Sequence, residues 1–351
     1  MTDIMTTELQ FAVIGWGYWG PKIARNLDSL PRAAVTYVCD MDQNRLAGVS
    51  LSSPALRLTA DSAEVMASDV DAVVIATPVR THYSLAKQAL LAGKHVLVEK
   101  PLTDNAAHAE ELAELAEARG LTLMAGHTFE YSQAVNEVRN LVREGQLGRI
   151  FCIEMERLNL GLFRNDTDVI WDLAPHDVSI LSYALGEEPE SVRVSAHGHL
   201  RSAIPDNAHI DLSYASGARA HIHVSWMHPT KVRRVTLIGS ERMAVYDDTN
   251  PAEMVRIFNC GADVGADPLV SYRYGATTIP YIEWKEPLRL ECEDFANSIR
   301  LGIPARANGR DGASVVRILA AAQASVRADG AWVELERAKA MVQVSAGARQ
   351  P

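Results

Sequence analysis

Three short stretches of the sequence carry residue types that can do chemistry. Glu99-Lys100-Pro101 sets an amine beside a carboxylate, and Asp172 and His176 stand four residues apart. That spacing puts two side chains on one face of a helix. The third stretch, Gly15-Trp16-Gly17-Tyr18-Trp19-Gly20, places its glycines in the order GxGxxG. A lysine amine becomes a useful base only when burial or a nearby positive charge lowers its proton affinity. A carboxylate beside an imidazole can orient the ring and raise its basicity, which suits general acid–base work. A glycine turn lets a pyrophosphate approach the backbone. Each stretch has a plainer alternative: a surface ion pair closing a strand, a helix cap beside a structural histidine, and a tight turn.

The elements that would position these residues separate the readings. Phe11–Ile14 is a short apolar strand running straight into the glycine turn, and Pro21 then suits the first turn of a helix bearing Ile23, Ala24 and Leu27. Strand, GxGxxG and helix in that order make the dinucleotide fingerprint. Gly15 permits the tight turn, Gly17 admits the pyrophosphate, and Gly20 lets helix and strand pack closely. Tyr18 lies in the same turn; the indoles of Trp16 and Trp19 suit either a nicotinamide or a contact with a second domain. The next strand, 34–39, ends in Asp40, placed to accept hydrogen bonds from ribose hydroxyls and to repel a 2′-phosphate. Met41-Asp42-Gln43 follow it, with no Arg or Ser directly behind, so the cofactor expected is NAD, with NADP less favoured. Asp40 could also cap a helix over 43–49.

Strand and helix alternate as far as residue 125, which predicts a parallel, doubly wound sheet. The apolar run 95–98 delivers Glu99-Lys100-Pro101 to the carboxyl edge of that sheet, the edge where ligands bind in open α/β folds. Beyond residue 126, segments alternate at period two. The fold class expected is therefore α/β, with a Rossmann dinucleotide-binding domain over 1–125. A C-terminal α+β domain over 126–351, with a large, mostly antiparallel open sheet, is expected to follow. A helix is expected from about 174 to 185, with Pro175 in its first turn and Asp172 near its cap. His127 and Tyr131 fall where the domains should meet and are expected among the substrate-binding residues. Arg157, Asn159, Arg164 and Asn165 form a polar cluster that is either an ordinary loop or a grip for an anionic substrate.

Composition narrows the classes. A formal charge of −10 with no basic run argues against a nucleic-acid partner, and no apolar run is long enough to span a membrane. Cys39, Cys152, Cys260 and Cys292 form no CxxC pair and read as reduced, buried thiols in a cytoplasmic protein. The histidine pairs His197/His199 and His221/His223 lack supporting ligand spacing, so no metal is expected.

With Ala76-Thr77-Pro78 and His82 added to the glycine turn, Asp40, Glu99-Lys100-Pro101 and Asp172 with His176, the chain resembles the Gfo/Idh/MocA family of oxidoreductases. The resemblance implies an NAD(P)-dependent sugar or cyclitol dehydrogenase, commonly a homodimer or homotetramer, whose second domain binds substrate and builds oligomers. It also implies that Thr77, Pro78, His82, Glu99 and Lys100 attend the cofactor. Lys100 and His176 become proton-transfer residues, and Asp172 becomes a substrate-hydroxyl contact or a partner of the histidine. The stretch 159–180 looks like a subgroup linked to nucleotide-sugar metabolism, whose members oxidise C3 of a UDP-N-acetylhexosamine or reduce a 3-keto deoxysugar nucleotide. Ala174-Pro175 departs from the glycine that commonly precedes the histidine. Two other functions stay open: a dehydrogenase of a free cyclitol or hexose, and a non-catalytic NAD-binding sensor or assembly subunit.

Overall fold

The computed structural model describes residues 8–51, 53–264 and 269–336. The first half runs β1 (Leu9–Ile14), α1 (Gly20–Asp28), β2 (Ala33–Cys39), α2 (Gln43–Leu46), β3 (Arg57–Thr59), α3 (Ser62–Ala67), β4 (Ala72–Ile75), α4 (His82–Leu91), β5 (His95–Glu99), α5 (Ala106–Arg119) and β6 (Leu123–Gly126). Its strands are continuous apolar runs because helices bury the sheet on both faces: Phe11, Val13, Val74 and Leu97 look into one core, and Ala12, Val73, Val96 and Val98 into another. The order is β3-β2-β1-β4-β5-β6, all parallel, so the direction of winding reverses between β1 and β4.

The chain continues through α6 (Gln133–Arg143), β7 (Ile150–Leu160), α7 (Val169–Leu185), β8 (Ser191–His197), β9 (Asn207–Ser213), β10 (Arg219–Ser225), β11 (Met227–Gly239), β12 (Met243–Asp247), β13 (Val255–Val264), β14 (Val270–Thr278), α8 (Pro287–Leu301), α9 (Gly309–Arg327) and β15 (Val333–Glu334). The second sheet has the order β14-β13-β12-β11-β7-β10-β9-β8-β15 and is antiparallel except for the pair β7 and β10. Alternate residues such as Ile153, Met155, Ile210, Ile222 and Leu237 point inward onto α6, α7 and α9. The opposite face carries Glu154, His221 and Arg234.

Two features depart from the sequence expectations, and the sequence leaves a third open, the packing of the last two helices. The hairpin β13–β14 was not foreseen, because β14 is exposed along nearly its whole length and shows no inward alternation. Helix α7 begins one turn earlier than expected. Asp168 caps it by accepting from Trp171 N at 3.0 Å, and Pro175 therefore lies inside the helix, where it leaves the Trp171 carbonyl without its usual donor. The last helices return to the first half. Phe295 of α8 packs on Phe11 of β1 at 6.1 Å between ring centroids, and Ala125 N donates to Ala307 O at 2.9 Å. Helix α9 sits between the halves, with Val316 in the core around Val96 and Val98 and with Ile318 and Leu319 in the core of the second half. Among the described residues no helix is long and apolar enough to cross a membrane.

Candidate active site

The carboxyl edge of the first sheet gathers part of the expected set along one cleft: the glycine turn, Thr77, Pro78, Glu99 and Lys100, faced by Arg164 and Asp172 from the second half. At one end, the glycine turn fits a pyrophosphate by its shape. A Cβ on Gly15 (φ +100°) would sit 2.5 Å from Ala76 O, and one on Gly20 would sit 1.9 Å from Gly15 O, so neither position admits a side chain. At Gly17 the nearest atom is Arg45 Nη1, 3.8 Å away, and the backbone stays open to a ligand. Helix α1 begins just behind with no side-chain cap, leaving its first N–H groups and its positive end toward the turn. Asp40 Oδ2 accepts from Trp16 N at 2.6 Å and Oδ1 accepts from Asp42 N at 2.8 Å, so Asp40 fixes the turn. The cap of α2 is Asp42, correcting the reading of Asp40 as that cap. Trp16 is half-buried against the first core, while Tyr18 is exposed under the Lys22 amine, 3.2 Å above its ring.

Towards the other end the edge opens into a cavity of about 820 Å³ between the halves of the chain, lined by Trp19, Thr77, Lys100, Arg164, Trp171 and Asp172 among others. Pro78 and Glu99 also line it. His82 lies almost wholly behind the lining. Its Nε2 faces Thr77 O at 2.8 Å and its Nδ1 faces Pro101 O at 2.9 Å, so the ring ties the loop after β4 to the turn after β5.

Lys100 bridges the two halves. Its Nζ donates to the backbone oxygen of Asp172 at 2.8 Å, and its N–H donates to Glu99 Oε2 at 3.2 Å. Burial lowers the proton affinity of this amine, and the guanidinium groups of Arg157 and Arg164 push the same way against the attraction of Asp172 and Glu99. Glu99 is displaced in the opposite sense. Burial raises its carboxyl to about 7, although Lys100 opposes this.

The relation expected between Asp172 and His176 is not what the structure shows. Asp172 Oδ2 accepts from Trp226 Nε1 at 3.0 Å, and Oδ1 lies 3.8 Å from Arg164 Nη1. The imidazole of His176 instead packs edge-on against Phe129 at 5.0 Å, with Nδ1 buried and unpartnered. Its proton affinity falls well below the ordinary value through burial, reinforced by Lys100 and Arg157; it is not raised. Helix α7 starts early, so Asp172 lies in its first turn while Asp168 holds the cap, and the Asp172 carboxylate turns to the indole. His127 is also buried with neither ring nitrogen partnered, and burial beside Lys100 takes it down to about 4.

The polar cluster divides. Arg164 reaches the cavity but is doubly bonded to Asp166 at 3.1 Å. Arg157 does not reach it: it is buried, clamps Asp177 through Nε and Nη2 at 2.9–3.1 Å, and so pins β7 to α7. Tyr131 is likewise buried, donating to Asp294 Oδ2 at 2.7 Å. Asn159 sits half-buried at the end of β7, outside the cavity lining, and Asn165 is an exposed partner of Arg201. None of these four is part of the cavity wall. Cys39 and Cys292 are buried free thiols as expected, whereas Cys152 and Cys260 are only half-buried. Among the described residues no group of His, Cys, Asp and Glu could hold a metal ion.

One residue behind the site was missed. Glu291 of α8 is buried, accepts from Thr128 Oγ1 at 2.7 Å through Oε2, and leaves Oε1 unpartnered. Burial and the facing Glu99 raise its proton affinity well above the ordinary carboxylate value. Its place on the apolar stripe of Leu288, Cys292 and Phe295 was the available signal.

Comparison with known proteins agrees with this layout. Residues 9–127 match the Gfo/Idh/MocA model described as an oxidoreductase family with an NAD-binding Rossmann fold, and residues 135–245 match the Gfo/Idh/MocA C-terminal domain. The UDP-N-acetylglucosamine 3-dehydrogenase of Acidithiobacillus ferrooxidans is 30% identical over 330 residues, covering 90% of this chain and 95% of that protein. Its solved structure superposes with a TM-score of 0.76 over 92% of this chain and 98% of that one. A protein of gentamicin A biosynthesis, solved in complex with NAD, is 27% identical with a TM-score of 0.78 over 95% and 98% of the two chains. An inositol 2-dehydrogenase of Rhizobium meliloti is 25% identical over 91% of this chain and 97% of its own.

Proposed function

The chain belongs to the Gfo/Idh/MocA family of NAD-binding oxidoreductases, and from that premise we propose that it transfers a hydride to or from a ring carbon, C3, of a nucleotide-activated sugar such as a UDP-N-acetylhexosamine. The observation that carries this reading is the bond from the Lys100 amine to the backbone oxygen of Asp172 in the cavity wall, at the same sheet edge as the glycine turn. NAD, held by Gly15–Gly20, Asp40, Thr77 and Pro78, supplies the hydride acceptor or donor when bound. For oxidation, the alcohol proton passes to Lys100 Nζ or to His176 as the C–H bond gives up its hydride. Both groups are poised for that exchange because burial favours their neutral forms, and a neutral amine or imidazole can accept a proton. Asp172, steadied by the indole of Trp226, faces the sugar hydroxyls, and Arg164 forms the outer wall toward the nucleotide.

The similarity to an inositol dehydrogenase, together with the engagement of Arg164 by Asp166, favours a second reading in which a free cyclitol or hexose is the substrate. Incubation with NAD and a panel of UDP-sugars, dTDP-sugars, free hexoses and inositols, followed by NADH absorbance, separates the two. NADH formed with a UDP-N-acetylhexosamine is the expected result; NADH formed only with free cyclitols overturns the nucleotide-sugar reading. We further infer a homodimer or homotetramer built on the uncovered face of the second sheet. The four free thiols fit a cytoplasmic, reducing setting.

A further inference from the structure

Beyond the groups that serve the cofactor and the reacting carbon, the cavity is lined by arginines from three separate elements. Arg164 comes from the loop before α7, Arg80 from the turn Val79–Thr81 before α4, and Arg327 from the last turn of α9. A run of neighbours sets the order of the first two. Lys100 Nζ donates to Asp172 O at 2.8 Å, Asp172 Oδ1 lies 3.8 Å from Arg164 Nη1, and Arg164 Nη2 meets Asp166 Oδ2 at 3.1 Å. Arg164 holds the Asp166 carboxyl below its ordinary value and Arg80 acts in the same sense, so Arg80 stands beyond Arg164 as seen from Lys100. On another wall Ala320, Gln323 and Arg327 recur at spacings of three and four, which lays one stripe of α9 along the cavity. Arg80 and Arg327 are both exposed, and neither guanidinium has a hydrogen bond or ion pair to any described residue. Most of the acids in the same lining are already engaged. Asp168 caps α7, Asp172 accepts from Trp226, and Asp166 is taken by Arg164, which leaves the exposed Asp104. The start of α4, with no side-chain cap and no acid in its first turn, adds a positive helix end beside Arg80.

We propose that Arg80 and Arg327, together with Arg164, form a subsite for the diphosphate of a nucleoside-diphosphate sugar. The inference rests on the nucleotide-sugar reading above and names the residues that would select that substrate class. In such a substrate the diphosphate leaves from C1, two ring carbons away from C3. With C3 at Lys100, the phosphates come to rest a short step further on, where these cations stand. Phosphate oxygens offer only acceptors and negative charge, which a guanidinium fork pairs through two donors at once. The pyrophosphate of NAD has its own holder in the glycine turn and the uncapped start of α1, so it has no need of these three. A free cyclitol or hexose would leave Arg80 and Arg327 idle. The subsite reads phosphate and does not choose between bases.

Enzyme loaded with NADH, so that the dinucleotide site is filled, is titrated by calorimetry with UDP, dTDP and uridine, and a thermal melt of each variant reports folding. The wild type binds UDP or dTDP more tightly than uridine. Arg80→Met and Arg327→Met each weaken the nucleoside diphosphate about tenfold or more, as expected for loss of a hydrogen bond to a charged group, while NADH stays within about twofold. Arg80→Lys, which keeps the charge but not the fork, recovers part of the loss. A wild type that binds UDP or dTDP while both methionine variants bind it equally well overturns the subsite and leaves the nucleotide-sugar reading standing. A wild type that binds neither UDP nor dTDP overturns that reading, and the subsite with it. Variants that lose NADH as strongly as they lose the nucleoside diphosphate assign these arginines to the cofactor and overturn the subsite alone.

Discussion

The two ends of one sheet edge are built on opposite principles. At the glycine turn, polar groups are tied to backbone partners: Asp40 holds Trp16 N and Asp42 N, and the glycines stand where no side chain fits. At the lysine end, polar atoms are buried without partners: both nitrogens of His127, Nδ1 of His176 and Oε1 of Glu291. Five buried groups there are displaced toward their neutral forms, Glu99 and Glu291 up and Lys100, His127 and His176 down. Satisfied groups make a rigid holder. Neutral groups packed around an amine make a place where one proton can change hands without stranding a charge.

The largest effect expected from this contrast is kinetic. Lys100→Met should lower turnover by about 10²–10⁴-fold, the usual worth of a positioned acid–base group, while the NAD+ dissociation constant changes by less than about threefold. Stopped-flow NADH formation and calorimetry measure the two, and equal losses in both would erase the division between the ends. Next comes Gly20→Ala, whose methyl would meet Gly15 O at 1.9 Å. It should loosen α1 from β1, cost about 1–3 kcal/mol of stability in chemical denaturation, and weaken NAD+ binding far more than Lys100→Met does. A Gly20→Ala protein with wild-type NAD+ affinity would show that the turn is not the holder. The smallest effect is in pH dependence. The carboxyl of Glu99, raised to about 7, keeps a proton in the folded state that the unfolded chain releases above its ordinary carboxylate value of 4.5. Its contribution to stability is therefore present at low pH and is lost as pH rises from 4.5 through 7. Glu99→Gln cannot titrate, so its stability relative to wild type should climb across that window by roughly 3 kcal/mol and then level off. Melts at several pH values test this, and a constant gap would place Glu99 among ordinary exposed carboxylates.

The same division governs what could be read without coordinates. The holder is local in sequence: an apolar strand, three glycines and an acid at the end of the next strand follow one another within about a βαβ unit. Lys100 was legible for the same reason, since Pro101 ends the strand that carries it. The proton-handling end is not local. Glu291 meets Thr128 across 163 positions, and Asp172 turns to Trp226 across 54, so neither partner shows in any spacing. The DxxxH spacing correctly put two residues on one helix but said nothing of which groups each would face. Arg157 and Tyr131 read as binding residues because polar side chains near a cleft invite that reading; the partners that occupy them, Asp177 and Asp294, lie 20 and 163 residues away. The edge hairpin β13–β14 escaped because strand patterning records burial, and that hairpin buries little.

The return of α8 and α9 to the first half has a consequence for how the protein is made. On a ribosome the amino-terminal sheet emerges first, yet Phe11 waits for Phe295, Ala125 for Ala307, and the core around Val96 and Val98 for Val316. The half that looks most like an independent module is thus the one whose interior is closed by helices translated long after it. Its contacts are among the longest-range in the chain, so completion is slow and follows synthesis, leaving apolar strand ends open in the interval. A nascent chain stalled before residue 290 would carry the whole dinucleotide fingerprint on a sheet that cannot yet shut.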